Sequence, residues 1–485
     1  MTAISNRESV FALTKEDKAG TLKLATGADA TAVLEGFSLE GSFAELESEE
    51  LSGSIGAAKG EIGAEAPTAS VNHYMRGSGE EGKEVDFSDL LEGALGAKVA
   101  PLAAGAKTLN ASTNEILKTA AALERGHAVL IKDAVNGFSI RNVLSKAGMD
   151  ATLAQLLAEA PAADVELGRP TLYKPGSNHP FFSLNLFRGN GGALEAIAAA
   201  LVTEMSVEIT AGEYINGGFS LAGREYFFNP VIVAANTTID IDGNDFMLRE
   251  GQYKDPHDFA AMVQSVIRGS NSETVTYDNE NGLYTIAGTA AFALNLAGHD
   301  TAAALLGFDA VDTASSDEVA SYTSETAINL KIMGALDYDN ANPLVARNAE
   351  VLFGSKDDIT CFPISTLTAT LTNTKTDSQD ICSPSGIGDS RISERVVEIE
   401  MAALLQQYDA DKFRRFREGD SGLFAGNFGT KEGGNWKAGN CFNMFSPTTK
   451  ITALTIDDAD GLAQLNMTLK CYSDSGAGEF YINTL

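Results

Sequence analysis

The sequence is poor in the residues that usually announce chemistry. It has four cysteines, Cys361, Cys382, Cys441 and Cys471, all in the final third and none in a CxxC spacing. That argues against a zinc site, and free thiols are expected. There are only five histidines, His73, His127, His179, His257 and His299, and none has a recognisable catalytic context. Neither an HExxH motif nor a Rossmann glycine fingerprint after a strand occurs. No apolar run approaches the 18 residues that a membrane-spanning helix needs. The first residues, Met1 to Glu8, hold no apolar stretch of the kind a secretory signal carries, so accumulation in a cytoplasm is expected. Basic residues are also short: 35 Lys and Arg face 66 Asp and Glu, a formal net charge of −31.

The acid is spread along the 485 residues rather than placed in a tail. Such a charge keeps a protein soluble and discourages adhesion to nucleic acid, which needs Lys and Arg facing phosphates. Generic solubility explains it; so does a surface that must repel DNA passing over it. The length suggests two to four domains.

What the chain does contain is a block that occurs twice. Phe37, Leu39, Gly41 and Phe43 alternate with polar residues and lead into a long acidic, Gly-rich stretch. A second strand follows at Ala69 to Arg76, then a helix pattern from Asp86 to Leu95. Later, Ser365 to Thr372 is a strict period-2 strand, followed by a Gly- and Ser-containing stretch, a strand at Glu394 to Met401 and a helix at Asp409 to Phe416. Leu39 to Val71 is 32 residues and Leu367 to Val397 is 30, while Val71 to Phe87 and Val397 to Phe413 are both 16. Each block ends in a strand pair: Met205 to Thr210 with Gly218 to Phe227, and Lys450 to Ile456 with Ala463 to Cys471. The stretches Glu45 to Pro67 and Asn373 to Glu394 read as long loops suited to ordering on a neighbouring subunit, or as plain surface flexibility.

Four divisions follow: residues 1–32 as an arm with a strand at Thr21 to Leu24, 33–229 as a first domain, 230–334 as an inserted α+β domain, and 335–485 as a second domain. Within the first, Ala111 to Leu123 and Gly192 to Val202 read as helices, and Ala128 to Ile131, Gly137 to Ile140 and Pro180 to Phe187 as strands. In the insert, Pro256 to Ile267 places Phe259, Met262, Val263, Val266 and Ile267 on one helical face. Pro256 suits its first turn and Asp255 its cap. Strands are expected at Thr237 to Asp242, Glu273 to Tyr277 and Leu283 to Ile286, and a helix at Thr301 to Leu306 capped by Gly307. The fold class is mainly β with flanking helices (α+β).

Several motifs imitate sites. Gly77 to Lys83 matches GxxxxGK, but Glu84 stands where a P-loop needs Ser or Thr, and Glu80, Glu81 and Asp86 would repel phosphate. Gly419-Asp-Ser-Gly422 resembles a serine-protease nucleophile segment without a partnered histidine. Asp240 to Asp245 and Asp457 to Gly461 are dense in acid, yet neither has the full spacing of a calcium loop. Each reads as a turn. No catalytic, cofactor-binding or metal-ligating residue is assigned, no cofactor is expected, and an enzyme is not.

Taken together, Phe37 to Phe43, Leu51 to Gly56, Glu61 to Glu65, Val71 to Gly77, Leu90 to Gly96, Arg169 to Tyr173, Phe182 to Leu186 and the closing strands resemble the major tail tube proteins of long-tailed (siphovirus-like) bacteriophages. The resemblance covers most of the two blocks, and residues 230–334 fit it poorly. It implies two tail-tube-like β-sandwich or barrel domains in one chain. It further implies self-association into stacked rings, trimeric with pseudo-sixfold symmetry, whose inner strands pair across subunits. Tail terminator, baseplate and tape-measure proteins are the partners it implies, with DNA passing through without sequence-specific binding and no membrane partner. The place implied is the virion tail, assembled in the host cytoplasm. A baseplate or other virion structural protein of the same fold, and a bacterial surface β-protein, are the alternatives.

Overall fold

A computed structural model of the protein describes residues 4–46, 61–134, 136–268, 273–308, 319–339, 341–355, 358–361, 363–383, 385–405, 410–459, 461–474 and 478–485. Strands dominate it, as the alternating sequence predicts.

The chain opens with β1 (Val10–Lys15) and β2 (Ala30–Thr31), then β3 (Ser38–Glu40), β4 (Phe43–Leu46), β5 (Glu61–Glu65) and β6 (Thr68–Tyr74). β1 lies within the main sheet, paired with a later strand, whereas Thr21 to Leu24 is irregular. Helix α1 (Ser88–Leu95) follows, with Leu90, Leu91, Ala94 and Leu95 buried; Gly96 ends it in the left-handed conformation at φ 92°. After β7 (Gly96–Val99), β8 (Ile116–Lys118), β9 (Ala128–Asp133), β10 (Gly137–Ala147) and β11 (Asp150–Leu153) form a four-stranded sheet in the order β8-β11-β10-β9. It has its own core of Leu117, Val129, Ile131, Val143, Leu153 and Leu167. The helix expected at Ala111 to Leu123 is therefore turns and a strand.

Next come β12 (Thr171–Pro175), β13 (Phe182–Arg188), β14 (Ala193–Thr210), β15 (Asn216–Ala222) and β16 (Glu225–Phe228). β14 replaces the helix expected at Gly192 to Val202. Ala, Leu and Glu favour helices, but this strand has neighbours on both edges and is buried from Ala196 to Val202, so tertiary pairing overrides propensity.

Residues 231–308 supply a separate core from Val231 to Phe308. Its elements are β17 (Val231–Val233), β18 (Thr238–Ile241), β19 (Asn244–Met247), β20 (Gly251–Tyr253), α2 (Pro256–Ile267), β21 (Thr274–Asp278), β22 (Leu283–Phe292), β23 (Leu294–Asn295) and α3 (Asp300–Leu306). β24 (Val319–Thr323) joins them through β22. Asp255 caps α2 by accepting the Asp258 amide at 2.9 Å, and Phe259, Met262, Val263 and Ile267 are buried as the periodicity predicts.

The remainder runs β25 (Glu350–Ser355), β26 (Asp358–Cys361), β27 (Ile364–Gln379), β28 (Ile387–Leu404), α4 (Ala410–Glu418), β29 (Gly422–Glu432), β30 (Asn435–Ala459), β31 (Leu462–Cys471) and β32 (Tyr481–Thr484). The expected loop Asn373 to Glu394 is instead a hairpin arm: β27 and β28 stay paired out to Gln379 and Ile387. Most of the other expected loop, residues 47–60 with the Leu51 to Gly56 motif, lies outside the described residues; β4 and β5 flank it as a paired arm.

Two long strands organise the core. The first half of β14 pairs with β13 and β16, and its second half with β15 and β27. β30 likewise pairs with β29 and β32 before Thr449, and with β31 beyond it. Each strand thus passes from an outer sheet into a shared inner one. The β14 crossing is marked by Ala199 at φ 53°. The freed Ala199 amide donates to half-buried Glu16, which also accepts from Ser183 Oγ and the Gly20 amide, so no backbone donor is stranded. The inner sheet runs β3-β6-β15-β14-β27-β28-β31-β30, antiparallel throughout. Its buried face, with α1 and the outer sheets, encloses the main hydrophobic core.

The expected spacings are not registers. Leu39 lies opposite Ala69 and Leu367 opposite Met401. Phe87 precedes α1 and is buried, whereas Phe413 lies inside α4 and is exposed.

Candidate functional site

Each inner strand alternates. Val71, Phe219, Met205, Val207, Ala369, Leu371, Val397, Ile399, Met467 and Leu469 point into the core. The opposite face carries Asn72, Ser206, Thr370 and Thr468 with Glu40, Glu204, Glu208, Glu394, Glu398 and Glu400, against Lys450 and Lys470. This wide, small-residue surface is acidic. Period-2 spacing made two faces legible; the pairing order puts them on one continuous sheet.

Two edges of that sheet have no partner strand among the described residues. One is β3. The other is the Lys450 to Ala459 part of β30, which pairs with β31 on one side only. An open edge presents unpaired N–H and C=O groups to any incoming strand. Ile456 and Leu462 are exposed at that end, as is Leu404 at the end of β28.

Two arms extend from the sheet. The β4–β5 arm exposes Phe43, Leu46 and Ile62, and the β27–β28 arm exposes Ile381 at its tip. The arms touch: the Glu65 amide donates to the Ser385 carbonyl at 3.2 Å.

At the centre, β14 and β27 pair from Glu204↔Thr372 to Thr210↔Thr366. Side chains lock this seam. Asn373 Nδ2 donates to the carbonyls of Ala94, in the last turn of α1, and Val202, at 2.9 and 3.0 Å. Arg395 Nη1 donates to the Leu95 carbonyl at 2.7 Å and pairs with Glu479. A cation at a helix C-terminus complements its dipole. Nothing in the spacing of Asn373 or Arg395 advertised this role. The buried amides Asn142, Asn427, Asn443 and Asn483, which bond side chain to side chain and tie β10 to β29, β30 and β32, were equally silent.

The imitation motifs serve as turns and contacts. Gly77 lies against the Gly439 backbone, where a Cβ would come 2.0 Å from a carbonyl oxygen; Lys83 pairs with Asp339. Ser421 sits between α4 and β29, and Asp457 and Asp458 lie at the end of β30, paired with Gln464 and Ala463 of β31. His73 and His127 are buried, and desolvation pulls each down to about 4. Asp86 and Asp339 share a cleft of about 220 Å³ with Asp29, Lys83, Glu84, Asp89 and Asp337. Burial first, then the Asp339 charge, pushes Asp86 up to about 6. Cys382, Cys441 and Cys471 are free thiols; burial pushes Cys441 and Cys471 up to about 12, away from reactivity. No helix is long and apolar enough to cross a membrane among the described residues.

No protein-family model matches the chain, and no curated protein matches it. Among solved structures, the chain is similar to the SPP1 tail tube at 13% identity and a TM-score of 0.23, covering 29% of this chain and 79% of that one. It is similar to a protein of the native gene transfer agent (GTA) virion at 15% identity and a TM-score of 0.20, covering 27% and 95%. It is also similar to the Hcp1 protein from E. coli at 9% identity and a TM-score of 0.17, again covering 27% and 95%. Each likeness is confined to less than a third of this chain.

Proposed function

We propose that this chain is a structural tube protein built from two copies of one domain. Copies of the chain join edge to edge into rings that stack as the hollow tail tube of a long-tailed phage. The observation that carries this reading is the order of pairing. In the first half, β2 pairs with β1, β1 with β13, β13 with β14, β14 with β15, β15 with β6 and β6 with β3. In the second, β26 pairs with β25, β25 with β29, β29 with β30, β30 with β31, β31 with β28 and β28 with β27. Helices α1 and α4 fall at matching places, and β16 on β14 matches β32 on β30.

On that equivalence the β14–β27 seam is the joint between repeats, made once inside the chain. Its counterpart would be β30 pairing with β3 of the next copy, which would use both open edges at once. Such a contact is heterologous, and rotation closes it into a ring. Three chains would supply six repeats. The closed barrel would hold many more strands than the roughly sixteen that already leave an aqueous channel. The acidic face would line the bore and repel DNA during ejection. The two arms, with Phe43, Leu46, Ile62 and Ile381, would meet the adjacent ring, and residues 231–334 would decorate the tube. The role is architectural, without turnover.

Negative-stain microscopy of the purified chain over a concentration series tests this. Rings or tubes are expected. Monomers alone at every concentration would contradict it.

A further inference from the structure

The 231–308 unit contains a cluster that the tube reading leaves unused. β18 turns into β19 through Asp242 and Gly243, at φ 52° and 75°, a two-residue hairpin turn. This sets Asp240 directly opposite Asp245. On its other side Asp240 faces Asn295 of β23. The chain then turns back at Leu296 to His299, where the His299 amide donates to the Leu296 carbonyl, and His299 enters α3 beside the two carboxylates. One ligand atom from each of Asp240, Asp245 and His299 lies within 4.8 Å of the other two.

We propose that Asp240, Asp245 and His299 bind a divalent transition-metal ion of the zinc class, which fastens the β18–β19 hairpin to the start of α3. Three features beyond proximity support it. Asp240 Oδ1 is shut off from solvent and has no hydrogen-bond partner, while Asp240 Oδ2 is held by Asn295 Nδ2 at 3.1 Å. A buried carboxylate oxygen without a partner is costly, and a cation satisfies it. His299 Nδ1 is 2.8 Å from Thr238 Oγ1; an imidazole that donates there turns its Nε2 lone pair toward the carboxylates, the outer-shell arrangement of metal-ligating histidines. Finally, Nε2 lies 3.4 Å from Asp245 Oδ1, and a tetrahedral ion with bonds of about 2.0–2.1 Å holds its ligand atoms roughly 3.3 Å apart.

The donor set selects the ion. Calcium takes about six to eight oxygens, more than two carboxylates provide, whereas an imidazole with two carboxylates and a water suits zinc, cobalt or nickel. The Asp245 side chain is largely exposed, so it can close on an ion without disturbing the core. The competing arrangement is a plain His299–Asp245 hydrogen bond with no ion.

The test is titration of the untagged, metal-stripped full chain with cobalt(II), read by visible absorption, then displacement with zinc. One equivalent is expected to give the intense absorption of a low-symmetry, nitrogen-ligated ion, abolished by zinc. His299→Ala and Asp245→Asn should each weaken binding at least tenfold while leaving the circular dichroism unchanged. Asp245→Asn guards against misfolding, because its side chain lies outside the core. Weak uptake of many ions without that absorption would mean binding to dispersed carboxylates and would overturn the site. So would a one-equivalent signal that survives both substitutions. Neither outcome bears on tube formation.

Discussion

Asn373 is where the joint between the two halves can be weighed. Its amide is buried and donates to two carbonyls, and each has a reason to lack another partner. Ala94 is in the last turn of α1, where carbonyls have no intrahelical donor. Val202 sits at the register shift between β14 and β15, where the ladder is interrupted. Asn373→Leu keeps most of the volume and removes both bonds. Leaving a buried acceptor unpaired costs about 1–3 kcal/mol each. Asn373 Oδ1 is itself unpartnered, and its removal returns about 1 kcal/mol. The net cost is about 1–5 kcal/mol. A chain of several cores does not unfold in one step, so the assay is local: hydrogen exchange of the Leu90 to Leu95 amides, read by mass spectrometry. Opening should accelerate about 5- to 4,000-fold, since 1.4 kcal/mol is a factor of ten. Exchange within about threefold of the unsubstituted chain would refute the reasoning, because the two carbonyls would then be satisfied without Asn373.

Asn443→Leu should destabilise the docking of β10 on β30 by about 2–4 kcal/mol, because it removes the side-chain bonds that Asn142, Asn427 and Asn483 make to Asn443; hydrogen exchange of the β10 amides measures this. For Asp86, the folded pKa near 6 lies above the ordinary 3.8, so its stabilising contribution is present below 3.8 and is lost as pH rises through about 6. Asp86→Asn should therefore raise stability by about 1–3 kcal/mol above pH 6 and flatten the pH dependence between 4 and 6, as thermal melts across that range would report. Along β30, successive N–H groups alternate between β31 and the open edge. One of Leu454→Pro and Thr455→Pro should thus melt like the parent, within about 1 kcal/mol, yet fail to form rings by light scattering. Rings from both variants would exclude that edge.

The inner sheet was readable because it is half buried. A strand such as Ser365 to Thr372, with Leu367, Ala369 and Leu371 inward and threonines outward, writes its geometry in period two. Helix α2 was readable for the same reason at its own period, with Pro256 and Asp255 marking its start. β14 was not, since burial of Ala196 to Val202 on both faces erases alternation and leaves a run that looks helical. Half of the β8–β11 sheet was readable, since Ala128 to Ile131 and Gly137 to Ile140 fall in β9 and β10; β8 and β11 were missed because they are only three and four residues long. Asp240 and Asp245 were read as a turn, correctly as far as they go; His299, more than fifty residues away, reaches them only through β23 and α3. The join of β14 to β27 is a long-range pairing that no local pattern encodes.

The stoichiometry of an assembled ring tests the central claim most directly. Native mass measurement of isolated rings, or symmetry classification of end-on particles by electron microscopy, counts the chains. Three chains per ring are predicted, with sixfold features in the inner wall and threefold features outside, from an insert at residues 230–334 that would decorate the tube. Six chains per ring, or the absence of any closed ring, would contradict it.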